Sequence, residues 1–158
     1  MKKSFNKKFF IMLIIVLLII LIDQLAKTLI LSKLYQSSIT IIGEILKLSY
    51  VENTGGAYGI GKDNSVIFVL VNIIIIGSLI SLVYFKKNQI NKIKLSAILL
   101  VIGGGTSNLI DRIFRGYVID YIDINPLFKY PVFNFADICI VLGVILIIID
   151  LITNKNKF

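Results

Sequence analysis

Long apolar runs, broken at a few places by glycine or a charged residue, dominate the chain. A hydrocarbon core of roughly 30 Å needs about twenty apolar helical residues to cross it, and four segments approach that requirement. Phe9 to Ile22 is uninterrupted, and its helical pattern continues through Asp23 and Lys27, which predicts a first span over residues 9–34. Residues 65–85 predict the second, broken by Asn72, Gly77, Ser78 and Ser81 and closed by Lys86 and Lys87. The third, over 95–112, is short and glycine-rich, and the fourth, over 134–153, has its apolar body at Ile138 to Ile149, led in by Pro131 to Asp137. Four crossings return both termini to one side.

Outside the spans the pattern changes. In residues 36–64, the stretch Ser38 to Asn53 is rich in β-branched residues and alternates from Ile45 to Tyr50, which predicts short strands. Asn53-Thr54-Gly55-Gly56-Ala57-Tyr58-Gly59 follows, a loop whose glycines permit positive φ and close backbone approach. Residues 113–133 read as a loop broken at Gly116 and Pro126. The expected fold is a mainly α membrane protein: one integral domain, residues 1–158, of four transmembrane helices with a small extracytoplasmic β-containing segment.

Composition supports the membrane and charge gives its sidedness. Of 158 residues 57% are hydrophobic and only 16% charged, with mean hydropathy +0.91; soluble domains carry nearer a quarter charged residues. Lys and Arg beside span ends stay cytoplasmic. Lys2, Lys3, Lys7, Lys8, Lys86, Lys87, Lys92, Lys94, Lys155 and Lys157 share one side with Asp150 alone, ten bases against one acid, about +9. The other side holds Lys27, Lys33, Lys47, Lys62, Arg112, Arg115 and Lys129 with Asp23, Glu44, Glu52, Asp63, Asp111, Asp120, Asp123 and Asp137, seven bases against eight acids, about −1. The termini are therefore expected inside, and the net +8 is a topology signal and not a nucleic-acid surface. The basic, apolar start also resembles a secretory signal peptide. No small-x-small cleavage site follows it, however, and Asp23-Gln24-Leu25-Ala26-Lys27 stands where one belongs, so the first span is read as retained.

One cysteine and no histidine remove disulfides, common zinc sites and Cys–His or Ser–His nucleophiles. What remains is acidic and sits toward the outer ends of spans, where an ionisable residue is a functional candidate. Asp23 and Lys27, at i and i+4, suit an ion pair that is either structural or a substrate contact. Asn108, Asp111 and Arg112 share roughly one helix face. Asn134 and Asp137 repeat the i, i+3 spacing, and Asp137 also fits helix capping. Asp120, among apolar neighbours in Tyr117-Val118-Ile119-Asp120-Tyr121, is either an exposed loop acid or part of the cluster. Two carboxylates sharing a site do not both ionise readily, so one keeps a proton while the other acts as base on water. Gly103, Gly104 and Gly105 read as helix-packing residues, Cys139 as a small core residue, and Tyr50, Tyr58, Phe114, Tyr117, Tyr121, Phe128 and Phe133 as an interfacial belt or the lining of a lipid groove.

Five blocks carry a family resemblance: Asp23-Gln24-x-x-Lys27; Asn53-x-Gly55-x-Ala57-Tyr58; Gly103-Gly104-x-x-x-Asn108-x-x-Asp111-Arg112; Val118-Ile119-Asp120-Tyr121; Phe133-Asn134-x-Ala136-Asp137. In order and spacing they resemble lipoprotein signal peptidase (signal peptidase II), from about Asp23 to Gly143. The resemblance implies a bacterial inner-membrane aspartic endopeptidase that cuts prolipoproteins before the diacylglyceryl-modified lipobox cysteine. It implies Asp120 and Asp137 as the catalytic pair, with Asp23, Lys27, Asn53, Gly55, Asn108, Asp111, Arg112, Asn134 and Ala136 supporting the site or contacting substrate. It also implies globomycin binding across the pair. The chain is expected to act as a monomer among membrane lipids, with no nucleic-acid partner and no metal or cofactor. A carboxylate-bound Ca²⁺ or Mg²⁺ is left to a chelator test. Gly56, Ser107 and Tyr121 depart from the family pattern, and of these Ser107 is expected to widen the packing of the third span. The rival readings are a small proton-coupled transporter, which predicts polar residues through the membrane thickness, and a non-enzymatic membrane assembly factor, which needs no paired acids.

Overall fold

The computed structural model describes residues 2–43, 45–56, 58, 60–61, 64–86, 89–124 and 129–153, with side chains from residue 9. Glu44, Ala57, Gly59, Lys62, Asp63, Lys87, Pro126, Phe128, Lys155 and Lys157, and the side chains of Lys2, Lys3, Lys7 and Lys8, lie outside the described residues. Four helices form: α1 (Lys2–Leu34), α2 (Ser65–Lys86), α3 (Lys92–Phe114) and α4 (Phe135–Thr153). All four are long and apolar enough to cross a membrane, α1 over Phe9–Leu34. Their apolar side chains are mostly exposed to what would be lipid, and α2 has no buried residue at all.

The central helix is α3, which packs against α1, α2 and α4. Its three consecutive glycines explain how, because successive residues turn by about 100° and point at different neighbours. A Cβ on Gly103 would lie 2.9 Å from Ile19 of α1, and one on Gly104 would overlap the Ala136 carbonyl oxygen of α4. One on Gly105 would meet Asn72 and Ile76 of α2 at an ordinary 3.5 Å. The packing expected of the glycines is therefore present, and it is closest toward α1 and α4. At the far end the N-cap residue of α3, Asn91, donates to Asp150 of α4 and ties the α2–α3 turn to the end of α4.

A three-stranded antiparallel sheet sits on the other end, in the order β1 (Ser38–Ile42), β2 (Leu46–Asn53), β3 (Val118–Asp123). The first two are the strands expected from the β-branched stretch. The third lies in what the sequence presents as a loop, and it is a correction. Val118, Ile119, Asp120 and Tyr121 are all buried, so polarity does not alternate along the strand. Ile119 and Tyr121 pack on Ile30 and Leu34 at the end of α1. Two-way bonding between Ile122 and Phe133, at 2.7 and 3.1 Å, then brings the start of α4 beside β3.

Candidate active site

Two carboxylates face one cleft of about 200 Å³, Asp120 from the middle of β3 and Asp137 from the first turn of α4. Asn53, Asn108, Arg112, Phe133 and Val141 also line it. Asp120 is 2% exposed, so the reading of an exposed loop acid is overturned.

Three asparagines present their amide NH₂ groups to the pair, and a donor-only group fixes the flip of each. The Asn53 Oδ1 accepts from the Gly55 N–H at 3.0 Å, which leaves Nδ2 to donate to Asp120 Oδ2 at 2.9 Å. The Asn134 Oδ1 accepts from the Asp137 N–H at 2.9 Å, and its Nδ2 donates to Asp120 Oδ1 at 2.7 Å. The Asn108 Oδ1 accepts from the Lys27 ammonium at 2.8 Å, so Nδ2 faces Asp137 Oδ1, also at 2.8 Å. Asp137 Oδ2 accepts in return from the Asn134 N–H at 3.1 Å. This reciprocal pair is a helix cap, so Asp137 caps α4 and lines the cleft at once.

Behind the cleft lies a charge cluster closed to solvent. Lys27 contacts Asp23 at 2.7 Å and Asp111 at 2.9 Å, all three with fully buried side chains. Asp23 also accepts from the Ser107 hydroxyl at 2.7 Å and, through Oδ1, from the Ala136 N–H at 2.9 Å. Asp111 accepts from Gln24, from the Ile119 N–H at 3.2 Å and from Arg115. The cluster thus joins α1, α3, β3 and α4. Asp23, Lys27, Asp111 and Ala136 are 0% exposed and do not line the cleft.

Arg112 reaches the other way, donating to the Gly55 carbonyl at 2.9 Å and stacking 5.4 Å above the Phe68 ring. That ring also fills the space beside Gly56, where a Cβ would come within 2.9 Å. Close approach in the glycine loop is therefore real at Gly56, while positive φ falls on Tyr58 and Gly61. Ser107 does not widen the helix packing. Its hydroxyl bridges Gln24 and Asp23 inside the cluster. Tyr121 is buried and leaves the aromatic belt; its hydroxyl accepts from the Phe135 N–H and burial pushes it up to about 12. Tyr58 and Phe114 are exposed, and Cys139 is buried as expected. Sequence reasoning missed a role for Gln24 and Arg115, although Arg115 stands i+4 from Asp111, a spacing that signals an ion pair.

Burial first, then the Asp137 charge, pushes the Asp120 carboxyl up to about 7. Hydrogen bonds from Asn53 and Asn134 and the Lys27 charge pull the other way. Such a site can hold one proton between two carboxylates at neutral pH.

The family model described as Signal peptidase (SPase) II matches residues 15–153. The chain is 39% identical over 132 residues to a lipoprotein signal peptidase of Halothermothrix orenii, covering 83% of this chain and 88% of that one. It is 38% identical over 158 residues to one from Staphylococcus aureus, covering 96% and 95%. A solved bacterial membrane enzyme superposes with TM-score 0.83 at 32% identity, covering 92% of this chain and 90% of that one.

Proposed function

The chain belongs to the signal peptidase II family, and on that premise we propose that Asp120 and Asp137 are its catalytic pair. The protein is a multi-pass membrane enzyme, an aspartic-type peptidase that cleaves signal peptides from bacterial prolipoproteins. The observation that carries the pairing is the shared cleft, in which both carboxylates are pinned by amide donors and no other described carboxylate takes part.

The substrate enters laterally among the membrane lipids, with its signal helix beside the spans and the peptide bond before the diacylglyceryl cysteine at the cleft. The ionised member of the pair takes a proton from water as the water oxygen bonds to the carbonyl carbon. The protonated member donates to the carbonyl oxygen, giving a tetrahedral diol. Roles then reverse: the C–N bond breaks, the amine takes a proton, and the free signal-peptide carboxyl is released. Asn53, Asn108 and Asn134 hold the two carboxyls in position, Arg112 and Gly55 hold the loop, and Asp23, Lys27, Asp111 and Ala136 brace the helices behind.

The single domain works as a monomer with both termini cytoplasmic. Lys86, Lys92 and Lys94 at the end opposite Asp120 support this orientation. A globomycin-type inhibitor binds across the pair. Asp120→Asn and Asp137→Asn each keep the side-chain shape and one accepting oxygen while turning the other acceptor into an NH₂ group that faces an N–H donor; both variants still insert and stop conversion of diacylated prolipoprotein. Full conversion by both single variants overturns the aspartyl mechanism.

A further inference from the structure

The proposed substrate has three arms at the reacting bond: the signal helix, the diacylglyceryl group on the cysteine, and the mature chain. Asp120 stands where two chambers meet. The first is the cleft described above, bounded on one side by Ile140 and Val141 of α4, and Val141 is half exposed on the outer surface of that span. The second, about 290 Å³, is walled by Val51, Thr54, Gly55 and Tyr58, all outside the spans, and shares Asn53, Asp120 and Val132 with the first. Two of the three arms are apolar and must lead back into the bilayer, because exposing their hydrocarbon to water is unfavourable by about 25 cal/mol per Å². Only the mature chain is free to leave on the aqueous side.

We infer that the chamber formed by β2 and the glycine loop is the subsite for the first residues of the mature chain. This rests on the proposed reaction and goes beyond it by assigning a specificity pocket. The side chains of Val51, Thr54 and Tyr58 are uncharged, and the Glu52 carboxylate is engaged by the Tyr50 hydroxyl at 2.8 Å. Glu52 keeps its charge, and the property that the uncharged walls Val51, Thr54 and Tyr58 read is size. Tyr58 sets its outer limit, its ring standing 6.0 Å from that of Tyr130.

The test uses two diacylglyceryl-modified prolipoproteins, identical except for Gly-Gly or Trp-Trp immediately after the modified cysteine. Val51→Trp fills the chamber and lowers the kcat/KM ratio of the Trp-Trp to the Gly-Gly substrate by roughly tenfold, as overpacking of a fitted site does. Tyr58→Gly opens it and raises the same ratio; glycine adopts the φ of 58° at this position freely. Should Val51→Trp not fold, Tyr58→Gly decides alone. Ratios unchanged in both variants overturn the assignment. A change in selectivity for the residues before the cysteine, in place of those after it, overturns it too. Cleavage of neither substrate by the parent chain instead removes the reaction on which the assignment rests.

Discussion

Replacing Lys27 with Met exposes the energetics of the buried cluster. Methionine matches lysine in length, so the space stays filled and the change is close to deletion of one charge. The ammonium now contacts Asp23 at 2.7 Å, Asp111 at 2.9 Å and the Asn108 amide oxygen at 2.8 Å, all inside the protein. Its removal leaves Asp23 with the Ser107 hydroxyl and the Ala136 N–H, and Asp111 with Arg115 as its one remaining basic partner among the described residues. Removing one partner of a buried ion pair costs about 3–5 kcal/mol. For a chain of this size each kcal/mol lowers Tm by roughly 2–4 °C, so the expected fall is of order 10 °C. The assay is built in: Cys139 is the one cysteine and is 3% exposed, so a thiol-reactive dye added to detergent-purified protein reports unfolding on heating. The second arm is a double variant, Asp23→Asn with Lys27→Met. It removes the charge left unpaired while keeping Oδ1 as acceptor for the Ala136 N–H and placing Nδ2 where it donates to the Ser107 hydroxyl oxygen, so it recovers at least about 1 kcal/mol relative to additivity. A Tm for Lys27→Met within about 2 °C of the parent, or strict additivity in the double variant, refutes the cluster as a cooperating unit.

Three further outcomes follow from the same geometry. Loss of the proton from the acid member takes activity away as pH rises through about 7, since Asp120 is raised and not lowered by its site. Asn53→Ala removes a hydrogen bond that favours ionised Asp120, so the alkaline limb of the remaining cleavage moves to higher pH by about one unit; a move to lower pH contradicts the assignment. Gly104→Ala drives a methyl into the Ala136 carbonyl and shifts the start of α4, lowering both Tm and cleavage, whereas Gly105→Ala meets only ordinary contacts and shifts Tm by less than about 4 °C. Equal effects of the two glycine changes argue against the three-way packing of α3.

Most of the architecture is legible in the sequence because a bilayer enforces it: apolar runs of fixed length leave little choice. The strands β1 and β2 are legible for a different reason, since β-branched residues and a short alternating run mark strands. β3 is not legible by that rule. Its two faces are both covered, one by Ile30 and Leu34 and the other by the cleft, and its polar residue Asp120 is buried with the rest. Arg115 looks like an ordinary base past a helix end until Asp111 is seen to be enclosed, and Ser107 looks like a defect in a glycine stripe until its partner Asp23 is seen across the helix pair. In each case the missing information is what lies opposite, which periodicity along one segment does not contain.

The same principle accounts for why so many polar residues stand behind two carboxylates. An asparagine amide rotates by half a turn at little steric cost, and a flipped Asn108 would present an oxygen to Asp137 and oppose its ionisation. An ammonium accepts no hydrogen bond, so Lys27 admits only one orientation of Asn108. A lone ammonium at that depth is itself costly, which requires Asp23 and Asp111, and their excess charge in turn is balanced by Arg115. The buried acids Asp23 and Asp111 thus hold the ammonium that orients the Asn108 amide, as well as the Ala136 and Ile119 N–H groups.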